Sequence, residues 1–360
     1  MNEERKMILD MLKEGKISVD QASDLLSALG KEKENKEDGF INKLSSSFEK
    51  IMKKTGETIS NIDLSNLDIN FDPTNIPGNI YRINSNQVEN ETRIEDNITS
   101  IDIDIANGNL EIQRAQDNFI SVYQKVYFKH KEDEKKEYLS VNVDGETLSI
   151  KTNKDYKGLE ASVDVKVYLG KNLYDKLNAN LVNGSAEICD VDFQNANIED
   201  VNGKISLINS AGDIAIKNIN GKIEVKNTNG NVSAENINGS VYLTNIAGPM
   251  ADIDVINGSI RVDGLNSESL KANSKAGTIR VGKISSAKEI NLNTGFGSIV
   301  VDSEGYDKQI SATIKSRNYS ISDKFKNKIQ REDGYQISTD PEKTDLNIDV
   351  KSGFGRITIR

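Results

Sequence analysis

Glycine recurs every nine residues between positions 203 and 248, and this period constrains the fold more than any other feature. The glycines are Gly203, Gly212, Gly221, Gly230, Gly239 and Gly248. The residues two positions later are all apolar: Ile205, Ile214, Ile223, Val232, Val241 and Met250. The residues six positions later are Asn209, Asn218, Asn227, Asn236, Asn245 and Asp254. A fixed short period of this kind predicts stacked structural units that share one core.

Two architectures are open to this repeat, a parallel β-solenoid and an antiparallel β-meander or sandwich. Asn-Gly is a strong hairpin signal, which favours the meander. The neighbouring glycine spacings favour the solenoid, because most lie close to twice nine, as between Gly184 and Gly203. Asparagines at one fixed position also form ladders when parallel strands stack in register. We therefore predict a mainly β chain, a parallel β-solenoid with half-coils of about nine residues.

The period also predicts where side chains point and where the repeat domain ends. Apolar residues two and four positions after each glycine are expected to face inward, and glycine is expected at corners that need positive φ. The β-repeat domain is predicted over residues 91–360, with regular repeats over 181–300. An opening meander over 91–180 and a C-terminal cap over 301–360 are expected to cover the open strand edges. Residues 61–90 are a predicted connector.

Residues 1–30 are predicted to form a helical hairpin. Gly15 ends the first helix, and Ser18 with Gln21 forms a capping box at the start of the second. The apolar stripes of the two helices contain Met7, Ile8, Met11, Leu12, Leu25, Leu26 and Leu29. Because so small a unit buries little surface, we expect self-association or a protein partner. Packing against the chain's own β-domain is the alternative.

A charged linker, residues 31–39, leads to a predicted amphipathic helix over residues 40–60. Its apolar and basic residues include Phe40, Ile41, Leu44, Phe48, Lys50, Ile51, Lys53 and Lys54. A basic helix with an aromatic face suits an anionic membrane surface, with about 1 kcal/mol of attraction per lysine. Binding of a protein partner, or capping of one solenoid end, are the alternatives for this helix.

Composition and charge limit the function. The chain has 360 residues and a formal net charge of −10, so nucleic acid is not an expected partner. No stretch approaches the roughly 20 apolar residues of a membrane-spanning helix, and the first residues contain no apolar signal core. We expect a cytoplasmic protein, or one peripheral to the inner membrane face. Cell-surface exposure through export without a signal peptide is the alternative.

Residues able to carry catalysis are few and scattered. His130, the single histidine, lies in a charged turn, and Cys189, the single cysteine, is expected to be a buried small hydrophobic residue. Asp102 and Asp104 alternate with apolar residues, as the solvent face of a strand does. We therefore expect no enzymatic activity, no cofactor and no small-molecule substrate.

Calcium-binding nonapeptide repeats share the nine-residue period and the glycine corners. They require paired glycines and an aspartate ladder, because Ca²⁺ prefers several anionic oxygen ligands. Here asparagine holds the ladder position and the glycine pair is absent. Asp190, Asp192 and Asp200 are expected near one corner, but no metal site is predicted.

Two parts of the chain resemble known bacterial domains. Residues 14–18, Glu-Gly-Lys-Ile-Ser, with the following Ala22 and Leu29, resemble the SHOCT-like helical domain that opens YvlB/LiaX-type proteins. The repeated Asn-Gly-x-Ile/Val pattern resembles the "putative adhesin" β-strand-repeat domain of unknown function that follows it in those proteins. The resemblance implies a non-enzymatic protein of Gram-positive-type bacteria in cell-envelope stress responses. It brings no catalytic residues.

Three functional hypotheses follow. The first is a scaffold in envelope-stress signalling that binds protein partners and the membrane surface. The second is an adhesin or polysaccharide-binding module that uses the asparagine-lined solenoid face. The third is a β-helical carbohydrate-active enzyme, which would need a carboxylate pair in one groove.

Overall fold

The computed structural model describes residues 86–128, 137–153, 161–332 and 334–360. Twenty-four β-strands and no helix occupy these residues. The predictions that lie outside them are the hairpin 1–30, the linker 31–39, the amphipathic helix 40–60, His130 and most of the connector 61–90.

The strands follow one another closely along the chain. The first eight are β1 (Asn86–Ile94), β2 (Ser100–Arg114), β3 (Ile120–Phe128), β4 (Leu139–Asp144), β5 (Thr147–Thr152), β6 (Ala161–Leu169), β7 (Tyr174–Asn183) and β8 (Ala186–Cys189). The next eight are β9 (Phe193–Asn202), β10 (Ile205–Ile208), β11 (Asp213–Asn220), β12 (Ile223–Asn229), β13 (Val232–Asn238), β14 (Val241–Asn257), β15 (Ile260–Ala276) and β16 (Ile279–Ile284). The last eight are β17 (Glu289–Phe296), β18 (Ile299–Val301), β19 (Ile310–Lys315), β20 (Asn318–Ile321), β21 (Asn327–Arg331), β22 (Gly334–Ser338), β23 (Leu346–Phe354) and β24 (Arg356–Ile359).

The repeats form a parallel β-solenoid with two strands in each coil. Alternate strands pair in parallel: β8, β10 and β12 form one ladder, and β9, β11 and β13 form the other. Ile205 pairs with Ile223 and Ile214 pairs with Val232, a shift of eighteen residues in each case. The nine-residue period is therefore half a coil, and the predicted solenoid is confirmed over the antiparallel alternative.

The long strands β14 and β15 contribute to both ladders. The first ladder continues through β16, β18, β24 and β20, and the second through β17, β23 and β19. The last chain segment, with β23 and β24, therefore lies between earlier coils and the coil formed by β19 and β20. One apolar core runs between the ladders, and Ile223 and Val225 are fully buried in it, as the spacing predicts.

Glycine is required at the corners because successive coils touch there through their backbones. At Gly221 φ is 147°, and a Cβ built on this residue would lie 1.9 Å from the carbonyl oxygen of Gly203. Only a residue without a side chain fits so close an approach at that φ.

Asparagine columns reinforce the opposite corner. Asn209, Asn227 and Asn245 hold φ between 52° and 54°, and each donates its side-chain amide along the column. Asn227 Nδ2 donates to Asn209 Oδ1 over 2.8 Å, and Asn245 Nδ2 donates to Asn227 Oδ1 over 3.0 Å. Asn218 and Asn236 belong to the other half-coil, so they form a separate, buried column.

One insertion breaks the period at Gly248. Val232 pairs with Ala251, so Met250 does not face inward and is 45% exposed. The same shift places Asp254 opposite Glu235, while Val255 stands opposite Asn236. The predicted inward position of Met250 and repeat position of Asp254 are therefore wrong, because the coil gains one residue here.

Antiparallel strands lie at both ends of the solenoid. In the region 91–180, β1 pairs with β3, β3 with β6, and β4 with β5, all antiparallel. Strand β2 joins this region to the repeats through parallel pairing with β5, β6, β7 and β8. At the other end β22 pairs antiparallel with β19 and β21. The antiparallel strands are therefore hydrogen-bonded into the same sheet as the coils and do not form a separate domain.

Candidate functional surface

A groove of about 370 Å³ crosses the outer face of the second ladder. Parallel register places Asn178, Asn197, Ala215 and Ser233 side by side across β7, β9, β11 and β13. The small side chains of Ala215 and Ser233 leave a depression between larger neighbours. We call this the amide groove, and its outward lining residues are Lys176, Asn178, Asn195, Asn197, Asp213, Ala215, Asn231, Ser233 and Met250.

The amide groove offers polar groups that the protein itself does not engage. Asn231 Nδ2 donates to Asp213 Oδ1 over 2.9 Å. Within the described part of the chain, the side-chain amides of Asn178, Asn195 and Asn197 have no hydrogen-bond partner. Each primary amide supplies two donors and one acceptor oxygen. The groove can therefore exchange hydrogen bonds with a neutral ligand that carries both donors and acceptors.

Elsewhere on the outer faces, charges are paired between neighbouring coils. Lys151 Nζ lies 2.7 Å from Asp102 Oδ2 and 3.5 Å from Asp104 Oδ2. Asp104 also accepts a 2.7 Å hydrogen bond from Asn180 Nδ2. These carboxylates belong to a solvated strand face, where ion pairs add little stability.

Glu224 is the most heavily neutralised carboxylate of the first ladder. Its oxygens lie 2.8 Å from Lys204 Nζ, 2.6 Å from Lys226 Nζ and 3.4 Å from Lys222 Nζ. Hydrogen bonds from Lys204 and Lys226 lower the pKa of Glu224 to about 2.

Asp200 is fully buried in the column that also holds Asn218 and Asn236. Asn218 Nδ2 donates to the Gly203 carbonyl oxygen over 2.7 Å, and Asn236 Nδ2 makes the same bond to Gly221 over 2.9 Å. Asp200 Oδ1 accepts from the backbone N–H of Asn202, whereas no described residue bonds Oδ2. Burial raises the pKa of Asp200 well above its usual range. The side chain is closed to ligands, so its role is structural.

The acidic residues considered for calcium do not come together. Asp190 accepts from Asn209 Nδ2 over 2.9 Å, and Asp192 lies 3.2 Å from Arg114. Asp200 lies in the buried column near Gly203, so the expectation of one shared corner is wrong. In the part of the chain that the structure describes, no three His, Cys, Asp or Glu side chains are placed to hold one metal ion.

Cys189 is half-exposed, which corrects the expectation of a buried residue. Ile188 faces the core, so strand alternation turns Cys189 outward, with Sγ 3.7 Å from Glu187 Oε1. Desolvation, followed by the Glu187 charge, raises the pKa of the thiol to about 11.

The other predicted site residues precede Asn86, the first residue that the structure describes. The association residues of 1–30 and the basic and apolar residues of 40–60 lie outside the described part of the chain. In residues 86–360, apart from the gaps already given, no helix has the length and apolar character needed to cross a bilayer.

Sequence reasoning missed two features of the second ladder. The amide groove lies partly before the regular repeats, and its asparagines occupy the outward positions between buried residues. A third asparagine column was also missed, although every member precedes a corner glycine. Its members are Asn107, Asn183, Asn202, Asn220, Asn238 and Asn257, linked by side-chain bonds of 2.8 to 3.0 Å. The dipeptide Asn-Gly was the available signal.

The fold and its outer surfaces define a two-strand-per-coil β-solenoid with polar, ladder-stabilised faces. Residues 98–360 match the family described as Toastrack DUF4097, which covers more than half of the chain, and the protein belongs to this family. Residues 3–34 match a SHOCT-like domain. The resemblance to a SHOCT-like domain followed by a β-strand-repeat domain is therefore confirmed.

The chain is similar to solved structures of three bacterial proteins, among others. A "putative adhesin" from Parabacteroides merdae has 12% identity, covering 77% of this chain and 97% of its own, with a TM-score of 0.41. A "putative adhesin" from Bacteroides fragilis has 13% identity, with coverage of 77% and 98% and a TM-score of 0.37. A "putative lipid binding protein" from Parabacteroides distasonis has 16% identity, coverage of 77% and 98%, and a TM-score of 0.37. No curated protein sequence matches the chain.

Proposed function

We propose that this protein is a non-enzymatic binding protein of the cell envelope, and that its amide groove takes an extended polyhydroxylated polymer such as a polysaccharide. The unengaged amides of Asn178, Asn195 and Asn197 support this proposal most directly. Sugar hydroxyls both donate and accept hydrogen bonds, which matches the amide group. The parallel strands repeat at about 4.8 Å, so the groove presents similar groups at regular intervals along its length.

The chemistry of the reactive side chains supports a role without catalysis. The raised pKa of Cys189 keeps it as a thiol near neutral pH, whereas a nucleophilic cysteine needs the thiolate. Asp200, the carboxyl group with a strongly raised pKa, is enclosed in the core.

Glycan-array binding with the purified full chain tests the groove. We expect binding to a subset of neutral polysaccharides and loss of at least tenfold in affinity for Asn195→Ala/Asn197→Ala. Asn293→Ala is the matched control, because it removes an exposed amide from β17, outside the groove. Equal binding by all three proteins would contradict the assignment of the groove.

We propose a second role, as a scaffold in envelope-stress signalling, because the order of a SHOCT-like domain and a β-strand-repeat domain resembles that of YvlB/LiaX-type proteins. In this role residues 1–30 bind a protein partner or a second copy, and residues 40–60 bind that partner or an anionic membrane surface. Co-purification from membranes with and without residues 1–60 tests the role. Flotation with anionic liposomes tests the membrane contact, and unchanged flotation of Phe48→Glu would exclude residues 40–60 as the anchor.

The location of the protein separates the two roles. An adhesin must be reachable from outside, whereas a signalling scaffold at the inner membrane face is not. Protease treatment of intact cells distinguishes them, since a fully protected protein cannot act as an adhesin.

A further inference from the structure

The outer face of the first ladder carries two adjacent arginines that no carboxylate of the described residues neutralises. Arg261 on β15 pairs in register with Arg280 on β16, and both side chains are exposed. Parallel neighbours lie about 4.8 Å apart, so the two guanidinium groups project from the same face at close range. Like charges in directly opposed positions destabilise a sheet.

This arrangement departs from the charge pairing of the surrounding coils. Lys271 lies 3.1 Å from Asp252, Lys283 lies 3.2 Å from Asp263, and Lys288 lies 2.9 Å from Glu268. Each of these cations has its carboxylate partner on the preceding coil. For Arg261 and Arg280, no described residue provides an ion pair or a side-chain hydrogen bond.

The nearest carboxylates on this face are already engaged. Asp263, two residues after Arg261, pairs with Lys283, and Asp302 lies 3.1 Å from Arg360. Glu224, two strands from Arg261 in the same row, is held by three lysines. The arginine pair is therefore a local positive site in a chain of net charge −10.

Neutral donors extend the row. Tyr242 on β14 pairs in register with Arg261, and among the described residues its hydroxyl has no hydrogen-bond partner. Ser259 and Thr278 stand two positions before Arg261 and Arg280, in the corner segments that lead into β15 and β16. Tyr242, Arg261 and Arg280 can each donate hydrogen bonds, which suits a ligand made of acceptors.

We propose that Arg261 and Arg280 form a binding site for a phosphate group, with Tyr242 as an additional donor. A guanidinium group binds a phosphate through two parallel N–H···O bonds. The negative charge of a phosphate group balances the two positive charges, and its free oxygens can accept hydrogen bonds from both guanidinium groups at once. This site is on the opposite ladder from the amide groove and does not depend on it.

Isothermal titration of the full chain with inorganic phosphate and with pyrophosphate tests the site, near 0.1 M salt. We expect saturable binding, tighter for pyrophosphate, and at least a tenfold loss for Arg261→Gln and for Arg280→Gln. Both arginines are exposed, so the variants should fold, and circular dichroism checks this. Arg331→Gln is the matched control, because Arg331 is an exposed arginine on β21 whose partner is Gln336.

A charge-conserving variant separates a bidentate site from simple attraction. Arg261→Lys/Arg280→Lys keeps both charges but removes the planar donor pairs, so we expect it to bind at least fivefold more weakly than the unmodified chain. Full retention of affinity by this variant, or equal weakening by Arg331→Gln, would overturn the proposal. Absence of any phosphate or pyrophosphate binding would overturn it as well.

Two sources could supply such a phosphate, a lipid headgroup or a soluble phosphate-bearing molecule. Co-sedimentation with phosphatidylglycerol vesicles, compared with phosphatidylcholine vesicles, distinguishes them. Binding to the first that is lost in Arg261→Gln supports the site with a lipid as its source. Phosphate binding without vesicle binding supports the same site with a soluble source.

Discussion

Replacing Asp200 by asparagine should stabilise the protein at neutral pH. Asp200 has no exposed surface, and its Oδ2 has no hydrogen-bond partner among the described residues. A Cβ built on Gly203 would lie 2.5 Å from this oxygen and 1.4 Å from the Gly184 carbonyl oxygen. The two oxygens are therefore no more than about 4 Å apart, a distance that a small adjustment turns into a hydrogen bond. Two acceptors facing each other need a proton between them.

Asparagine supplies the missing donor in the geometry already seen at Asn218. An unsatisfied buried polar group costs about 1–3 kcal/mol, and an ionised one costs more. We expect Asp200→Asn to raise the free energy of unfolding by about 1–3 kcal/mol at pH 7, because the variant recovers this cost. Urea unfolding followed by circular dichroism measures the difference.

The pH dependence of the stability difference shows whether the ionisation of Asp200 is its cause. The pKa of Asp200 is raised in the folded protein, so its favourable contribution is complete below the unfolded value of 3.8 and declines as pH rises toward the folded value. The advantage of the asparagine variant should therefore be small at pH 3.5 and grow toward neutral pH. Asp213→Asn makes the same charge change at an exposed position and should leave stability nearly unchanged. An Asp200→Asn variant that is less stable at pH 7, or equally stabilised at both pH values, would refute the reasoning.

Substitutions at Glu224, Gly221 and Asn227 test the charged face and the corners by the same unfolding measurement. Glu224→Gln should cost about 1 kcal/mol at pH 7 and nothing near pH 2, because the lowered pKa of Glu224 makes its contribution complete above pH 4.5 and lost toward pH 2. Gly221→Ala should cost about 3 kcal/mol of unfolding free energy, because the added Cβ meets the backbone of the neighbouring coil. Gly145 also has a positive φ but open space around it, so Gly145→Ala should cost about 1 kcal/mol. Equal losses in the two variants would contradict the backbone contact. Asn227→Gly should lower the free energy of unfolding by about 1 kcal/mol, because it removes the side-chain hydrogen bonds of the column. Asn227→Ala should lose about 1 kcal/mol more, because alanine is strained at a φ of 52°. Unchanged stability of Asn227→Ala would contradict the stabilising role of the column.

The sequence alone was sufficient for the solenoid, because the repeat is a local property. Each nine-residue unit carries its own inward apolar residues and its own corner glycine, so the period predicts both burial and stacking. Ile223 and Val225 are buried as predicted, and Gly221 has the positive φ expected of a corner. Composition and net charge also limit the chemistry that the chain can carry out.

Tertiary structure decided every feature that depends on which coil lies beside which. The extra residue near Met250 shifts the register of one coil, and a count along the chain does not show where the added residue is placed. Insertion of β23 and β24 between earlier coils and β19 is a long-range pairing that no local period encodes.

The candidate functional surfaces also depend both on the local sequence and on the pairing between coils. Strand alternation predicts that Asn197 and Arg261 face outward, but only the register shows which residues stand beside them. Whether a polar side chain is partnered depends on the neighbouring coil about 4.8 Å away, which is eighteen to twenty residues distant in sequence. The sequence by itself therefore determined a ladder of glycine and asparagine corners, and only the stacking determined the amide groove, the arginine pair and the burial of Asp200.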